Sequence, residues 1–301
     1  MKKSVTYIAI WLVLLQTTLY AQYTDHRNRQ VDSLEQVLAT NPPTGEELVR
    51  LYNGLAWDYQ QINVEKSMYY ARKCIETAVP LNDFRSVSIS YRVLGVNFYK
   101  ISQYDSAMVY YDKALEAAER MRDFPQKYTE ERIDSQLSLL YGTIGNLYNI
   151  QGKCPEAVGY YQKALPLFEK YDWKESQAIV YENIGEMHLT IGNHEQAEIN
   201  FIKLDSLAHV MGDSLLLAHA KKYFGHLYLT TKDYEAALQN IEIAYDYYFS
   251  QPEESENKAV ILNYLSEIYF EGYADDKRAE EYARQALVLL EDLDIPREKA
   301  I

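Results

Sequence analysis

Six histidines and two cysteines are the first residues of this 301-residue chain that could do chemistry. Five histidines crowd together: His188, His194, His209, His219 and His226. His219 and His226, seven apart on a helical pattern, share a face. Such a pair suits a metal ion or a proton-sensing switch. Histidines on a solvated helix face give the same spacing, and on that reading no metal site is expected. His194-Glu195 lacks the second histidine of a zinc-protease helix. No phosphate-binding loop, dinucleotide fingerprint or nucleophile elbow occurs either. The chain is therefore expected to be no enzyme and to need no cofactor. Cys74 stands at a small-residue position and reads as a packing residue, while Cys154 precedes Pro155 in a turn. Two cysteines so placed give no disulfide framework.

Charge narrows the partners. Thirty Lys and Arg against 44 Asp and Glu give −14, which disfavours nucleic acid and anionic lipid alike. A hydrophobic share of 48% excludes a disordered chain, and only 12 Gly and 8 Pro favour helix. Tyrosine, with 29 copies, suits thin layers in which a ring is buried and its hydroxyl stays wet. Runs such as Glu116, Glu119, Arg120 and Glu130-Glu131-Arg132 read as solvated helix faces.

The amino terminus reads as an address. Lys2 and Lys3 precede an apolar run centred on Ile8–Leu15, and Leu19-Tyr20-Ala21 ends in a small residue. This is the pattern of a signal peptide over 1–21, too short for a comfortable membrane span. Its removal takes two lysines, so −14 becomes −16. Export to the periplasm follows, with no membrane insertion after cleavage; an uncleaved segment would instead leave an inner-membrane anchor.

The elements that must position any site come from a repeat. Gly95, Gly145, Gly185 and Gly225 each follow a large apolar residue, and twelve positions on stand Ala107, Ala157, Ala197 and Ala237. Four further lie Tyr111, Tyr161, Phe201 and Ile241, and three beyond those Ala114, Ala164, Leu204 and Ala244. The pattern predicts antiparallel helix pairs that approach most closely at the glycine and alanine. Gly152 and Gly192 supply the left-handed turn between paired helices.

Tyr141-x2-Ile144-Gly145-x2-Tyr148, with Ala157, Tyr161 and Ala164, resembles the tetratricopeptide repeat family. Weaker units flank the four clear ones. Tyr52-x2-Leu55-Ala56-x2-Tyr59 has a turn shorter by one, and Leu262-x2-Leu265-Ser266-x2-Tyr269 has Ala279 one residue late. Gly145, Gly185 and Gly225 recur at 40 residues rather than the family's usual 34. That spacing is similar to a long-helix variant found in exported regions of bacterial sensor and regulator proteins. The resemblance implies an all-α right-handed superhelix (solenoid) of about six helix pairs over 44–293, divided 44–83, 84–123, 134–173, 174–213, 214–253 and 255–293. Residues 22–43 supply an N-terminal capping helix and linker, with the helix over Val31–Leu38. Residues 294–301 repeat the Asp-apolar opening of an earlier unit and read as the start of a truncated further repeat or tail.

The resemblance also implies where a partner sits, because the first helix of each pair lines a concave groove in the family. Transferred residue by residue, the groove begins with Asn53 and Trp57, then Arg92, Tyr99 and Lys100. It continues through Asn146 and Asn149, then Glu182 and Glu186. Lys222 and His226 follow, and Asn263, Glu267 and Phe270 end it. Asparagines suit a peptide main chain, cations suit carboxylates, and the rings offer apolar anchors. The chain is expected to be an exported, non-catalytic scaffold or adaptor that binds a protein or peptide. A second expectation is the periplasmic sensor portion of a histidine kinase or transcriptional regulator whose membrane and output domains lie outside these residues.

Overall fold

The computed structural model describes residues 29–252 and 254–292. The expected signal peptide and the 294–301 segment lie outside the described residues. Among those described there are thirteen α-helices and no strand. Contacts divide the chain into two compact units after Leu140.

The first unit begins with α1 over 29–40. It continues with α2 (Gly45–Tyr59), α3 (Val64–Ala78), α4 (Phe84–Lys100) and α5 (Tyr104–Glu119), and ends inside α6 (Glu130–Ile150). The second unit holds the rest of α6 and then α7 (Cys154–Lys170), α8 (Lys174–Thr190) and α9 (His194–Met211). After these come α10 (Ser214–Thr230), α11 (Tyr234–Ser250), α12 (Ser255–Glu267) and α13 (Asp276–Asp292). Within each unit successive helices pack in pairs: α2 on α3 and α4 on α5, then α8 on α9, α10 on α11 and α12 on α13.

The glycines explain how closely the pairs approach. A Cβ added at Gly95 would lie 2.4 Å from the Tyr111 ring, and one at Gly145 would lie 2.6 Å from that of Tyr161. Gly185 meets Phe201 at 2.4 Å and Gly225 meets Ile241 at 2.3 Å. No other side chain fits, because the partner atoms sit inside van der Waals contact. The close point is therefore the glycine against the large side chain of the second helix, four residues beyond the repeated alanine.

Turns and caps finish the units. Gly152 and Gly192 take φ of +70° and +75°, whereas Ser102 and Lys232 take the same left-handed turn without glycine. Asp83, Asp213 and Asp233 accept backbone N–H bonds from Ser86, Leu216 and Ala236, which caps α4, α10 and α11. α1 covers the first pair by burying Val31 beside Leu55 and Tyr59. Its Glu35 accepts hydrogen bonds from Lys66 and from the Tyr70 hydroxyl at 2.9 and 2.8 Å. Glu119 and Glu130, which read as solvated from sequence, both pair with Arg122 and so clasp the connector that precedes α6. The late Ala279 has a local cause. α12 runs into a π-helical turn at Ile268–Gly272, which takes up one extra residue.

Candidate functional site

In the first unit, α2 and α4 bring the expected residues together. Arg92 lies over the Trp57 indole, 5.5 Å from its centroid, and Trp57 stays 49% exposed. Asn53 accepts from the Ser90 hydroxyl at 2.9 Å, and Lys100 donates to the Gln60 carbonyl at 2.7 Å. Tyr99 packs instead on Tyr104, with ring centroids 6.0 Å apart. Arg92 has neither a hydrogen bond nor an ion pair among the described residues, and its Nε is buried. Burial pulls the guanidinium below its ordinary pKa, and the interaction with Tyr111 pushes the other way. Tyr111, only 2% exposed, was outside the sequence expectation. Its ring passes beside Gly95, one helical turn beyond Arg92, and its hydroxyl has no hydrogen-bond partner among the described residues.

The second unit assembles its residues differently. Asn146 accepts from the Tyr161 hydroxyl at 2.6 Å, and Asn149 stands beside that same hydroxyl. On α8, Glu182 accepts from the Tyr223 hydroxyl at 3.0 Å and meets His219 Nδ1 at 3.3 Å. Burial opposes the charge of Glu182, but these bonds and the charge of Lys222 outweigh it and hold the carboxyl below its usual range. Glu186 has no hydrogen-bond or ion-pair partner among the described residues, and burial, then the Glu182 charge, push its pKa up. Lys222 donates to Asn257 Oδ1 at 3.0 Å. Burial draws its ammonium down against the pull of Glu182 and Glu186. His226 stacks on Tyr264 with centroids 5.0 Å apart, and burial lowers its pKa. Asn263, Glu267 and Phe270 line an open cleft of about 780 Å³ between α12 and α13, where Phe270 is 62% exposed.

Tyr161, Tyr223, Asn257 and Tyr264 are contributors that the transferred positions missed. Tyr111 and Tyr161 carried a signal: they are the two tyrosines at the position four beyond the repeated alanine. A hydroxyl there passes the glycine and reaches the face of the first helix. Cys74 and Cys154 are free and buried, and burial pushes the Cys74 thiol up to about 11. Among the described residues, no group of three metal-ligating side chains is placed to hold an ion. No helix there is long and apolar enough to cross a membrane.

Residues 136–203 match the tetratricopeptide repeat family. Over that stretch the chain carries tetratricopeptide repeats. Over 151 residues it is 28% identical to the transcriptional activator NprA of Geobacillus stearothermophilus. That alignment covers 50% of this chain and 35% of NprA, so the chain spans about a third of that relative's length. Among solved structures, the repeats resemble a signal transduction ATPase with a tetratricopeptide repeat sensor from Pyrococcus horikoshii. The TM-score is 0.72 at 18% identity, covering 89% of this chain and 40% of that one. They also resemble the Rap conjugation gene regulator of plasmid pLS20 in complex with the Phr* peptide, with a TM-score of 0.53 at 14% identity. That match covers 82% of this chain and 75% of the regulator. At these identities the likeness is one of fold.

Proposed function

We propose that the repeats bind a polypeptide segment of another protein against the faces of their first helices, as a non-catalytic scaffold or adaptor. The observation that carries this reading is the Trp57–Arg92 pair, in which a half-exposed indole lies beside a cation that no group of the described chain satisfies. The Phr* peptide bound to the fold-related Rap regulator supports a peptide as the occupant. Export to the periplasm is part of the proposal and rests on the amino-terminal sequence pattern alone. A second reading is supported by the sensor and activator descriptions of the related proteins: these repeats would be the sensing portion of a longer regulator. The intact mass and cell fraction of the native chain separate the two, since a soluble species below 35.1 kDa fits only the adaptor.

Photo-crosslinking tests the binding face. A photoreactive residue at Trp57 or Lys222, on first helices, should capture a partner peptide from native extract. The same residue at Val109 or Ile202, exposed on second helices, should not. Capture from Val109 and Ile202 alone would move the site to the other face and end this proposal.

A further inference from the structure

We infer that Arg92, Tyr111 and Trp57 form a pocket for a carboxylate, and that the segment bound by the first unit presents an acidic side chain there. This inference rests on the polypeptide-binding reading and names the chemistry of the segment.

Two donors converge without an acceptor. The Arg92 guanidinium is half-buried, and it has no carboxylate within ion-pair reach and no hydrogen bond among the described residues. The Tyr111 side chain is 2% exposed, and its hydroxyl is likewise without a partner. The Tyr111 ring lies against α4 at Gly95, one helical turn from Arg92, so the two groups share one stretch of that helix. A donor left buried and unpaired, as Arg92 Nε is, costs stability that a ligand oxygen would recover. The missing chemistry is an acceptor with charge, because a guanidinium fork matches a carboxylate better than a neutral carbonyl.

The second unit shows what a completed version looks like. Tyr161 occupies the position of Tyr111 one repeat later, passes Gly145 in the same way, and donates to Asn146 Oδ1 at 2.6 Å. Where Asn146 provides the oxygen in that repeat, Val96 stands at the matching place in α4 and provides none. An incoming oxygen would therefore take the role of Asn146 Oδ1, with Arg92 beside it to hold a charge. Trp57, stacked under the guanidinium and 49% exposed, gives the residue flanking the acidic one an apolar surface to lie on. The chain's charge of −14 opposes an acidic ligand at long range. Contact with a half-buried guanidinium acts at distances where salt screens little.

The experiment uses fluorescein-labelled heptapeptide libraries with amidated C-termini and a central Glu, Gln or Lys. Each is titrated by fluorescence polarisation against the full chain. The Glu library should bind about tenfold or more tightly than the Gln library. Arg92→Met should erase that ratio, and Tyr111→Phe should reduce it. In the absence of peptide, Arg92→Met should also melt about 2–4 °C higher, because it removes an unpaired buried charge. Arg92→Lys keeps a charge and serves if Arg92→Met does not fold; it should bind the Glu library weakly. Equal binding of the Glu and Gln libraries would overturn the carboxylate pocket while leaving polypeptide binding intact. Tighter binding of a Gln library with a free C-terminus than of the amidated Glu library would reassign the pocket to a chain terminus and overturn the acidic side chain. A lower melting point for Arg92→Met would make the guanidinium structural. If no library binds, the pocket falls, and the crosslinking result alone decides the broader reading.

Discussion

The two units carry the same framework and leave different things undone. In the second, several charged and polar groups of the first helices are matched within the chain: Glu182 with Tyr223 and His219, Lys222 with Asn257, and Tyr161 with Asn146. His188 Nδ1 and Tyr248 Oη are buried there without a hydrogen bond among the described residues. In the first, Arg92 and Tyr111 stand without such partners. One repeat pattern thus produces a face that is largely satisfied and a face that waits. The difference comes from single positions, such as Val96 against Asn146, and owes nothing to the helices that carry them. The largest share of binding energy is therefore expected in the first unit, because a ligand gains most where the free protein loses most.

Both faces hang on the same kind of glycine contact, and the largest expected effect tests that dependence. Gly185→Leu would place a Cβ 2.4 Å from Phe201 Cε1, well inside van der Waals contact. The helices must separate, at a cost of about 1–3 kcal/mol or more. Gly95→Leu should cost a similar amount against Tyr111, and should also abolish binding at the pocket beside it. Denaturant melts of both variants provide the check. Unchanged midpoints would show that the pairs are not held at these glycines, and the shared framework would no longer explain the two faces.

That framework was legible in the sequence because packing at a helix crossing is demanding. Only glycine fits opposite Tyr111, Tyr161, Phe201 or Ile241, so the spacing had to be written in residue types. The face residues were legible only as positions. Asn53, Trp57, Arg92 and Lys222 fall among the contacts that transferred positions implied. Whether a cation at such a position is satisfied depends on groups far away in sequence. Asn257 lies 35 residues from Lys222, and a repeat pattern does not encode that pairing. The hydroxyls of Tyr111 and Tyr161 were hidden for another reason: a tyrosine at a core position reads as a ring, and its polar tip goes unnoticed. The π-helical turn at Ile268–Gly272 showed only as an alanine out of step.

A smaller effect sharpens the contrast between those two tyrosines. Tyr161→Phe removes a buried hydroxyl that donates to Asn146, and should cost about 0.5–1.5 kcal/mol. Tyr111→Phe removes a hydroxyl that makes no hydrogen bond among the described residues, and should leave the free protein as stable as before or slightly more so. Paired chemical melts without ligand measure the difference. Equal losses would mean that Tyr111 is satisfied in solution, and the two faces would then be alike at this position.

The smallest effect probes Glu186, which with Glu267 breaks the pattern of the second unit. Glu186 lacks a partner, and burial together with Glu182 raises its pKa in the folded state. A carboxyl raised on folding favours the native state only while it is protonated. Its contribution is present below the unfolded pKa and is lost as pH rises through the folded value. Glu182 runs the other way: its lowered pKa contributes stability above the unfolded value that is lost as pH falls through the folded one. Glu186→Gln should therefore stabilise the chain at neutral pH, by an amount within about 0.5 kcal/mol. The gain should shrink as pH falls into the carboxylate range, and Glu182→Gln should show the opposite slope. Melting both variants from pH 7 down to pH 4 reads the two slopes directly. If Glu186→Gln is destabilising at neutral pH, Glu186 is satisfied after all and belongs with the matched groups of the second unit.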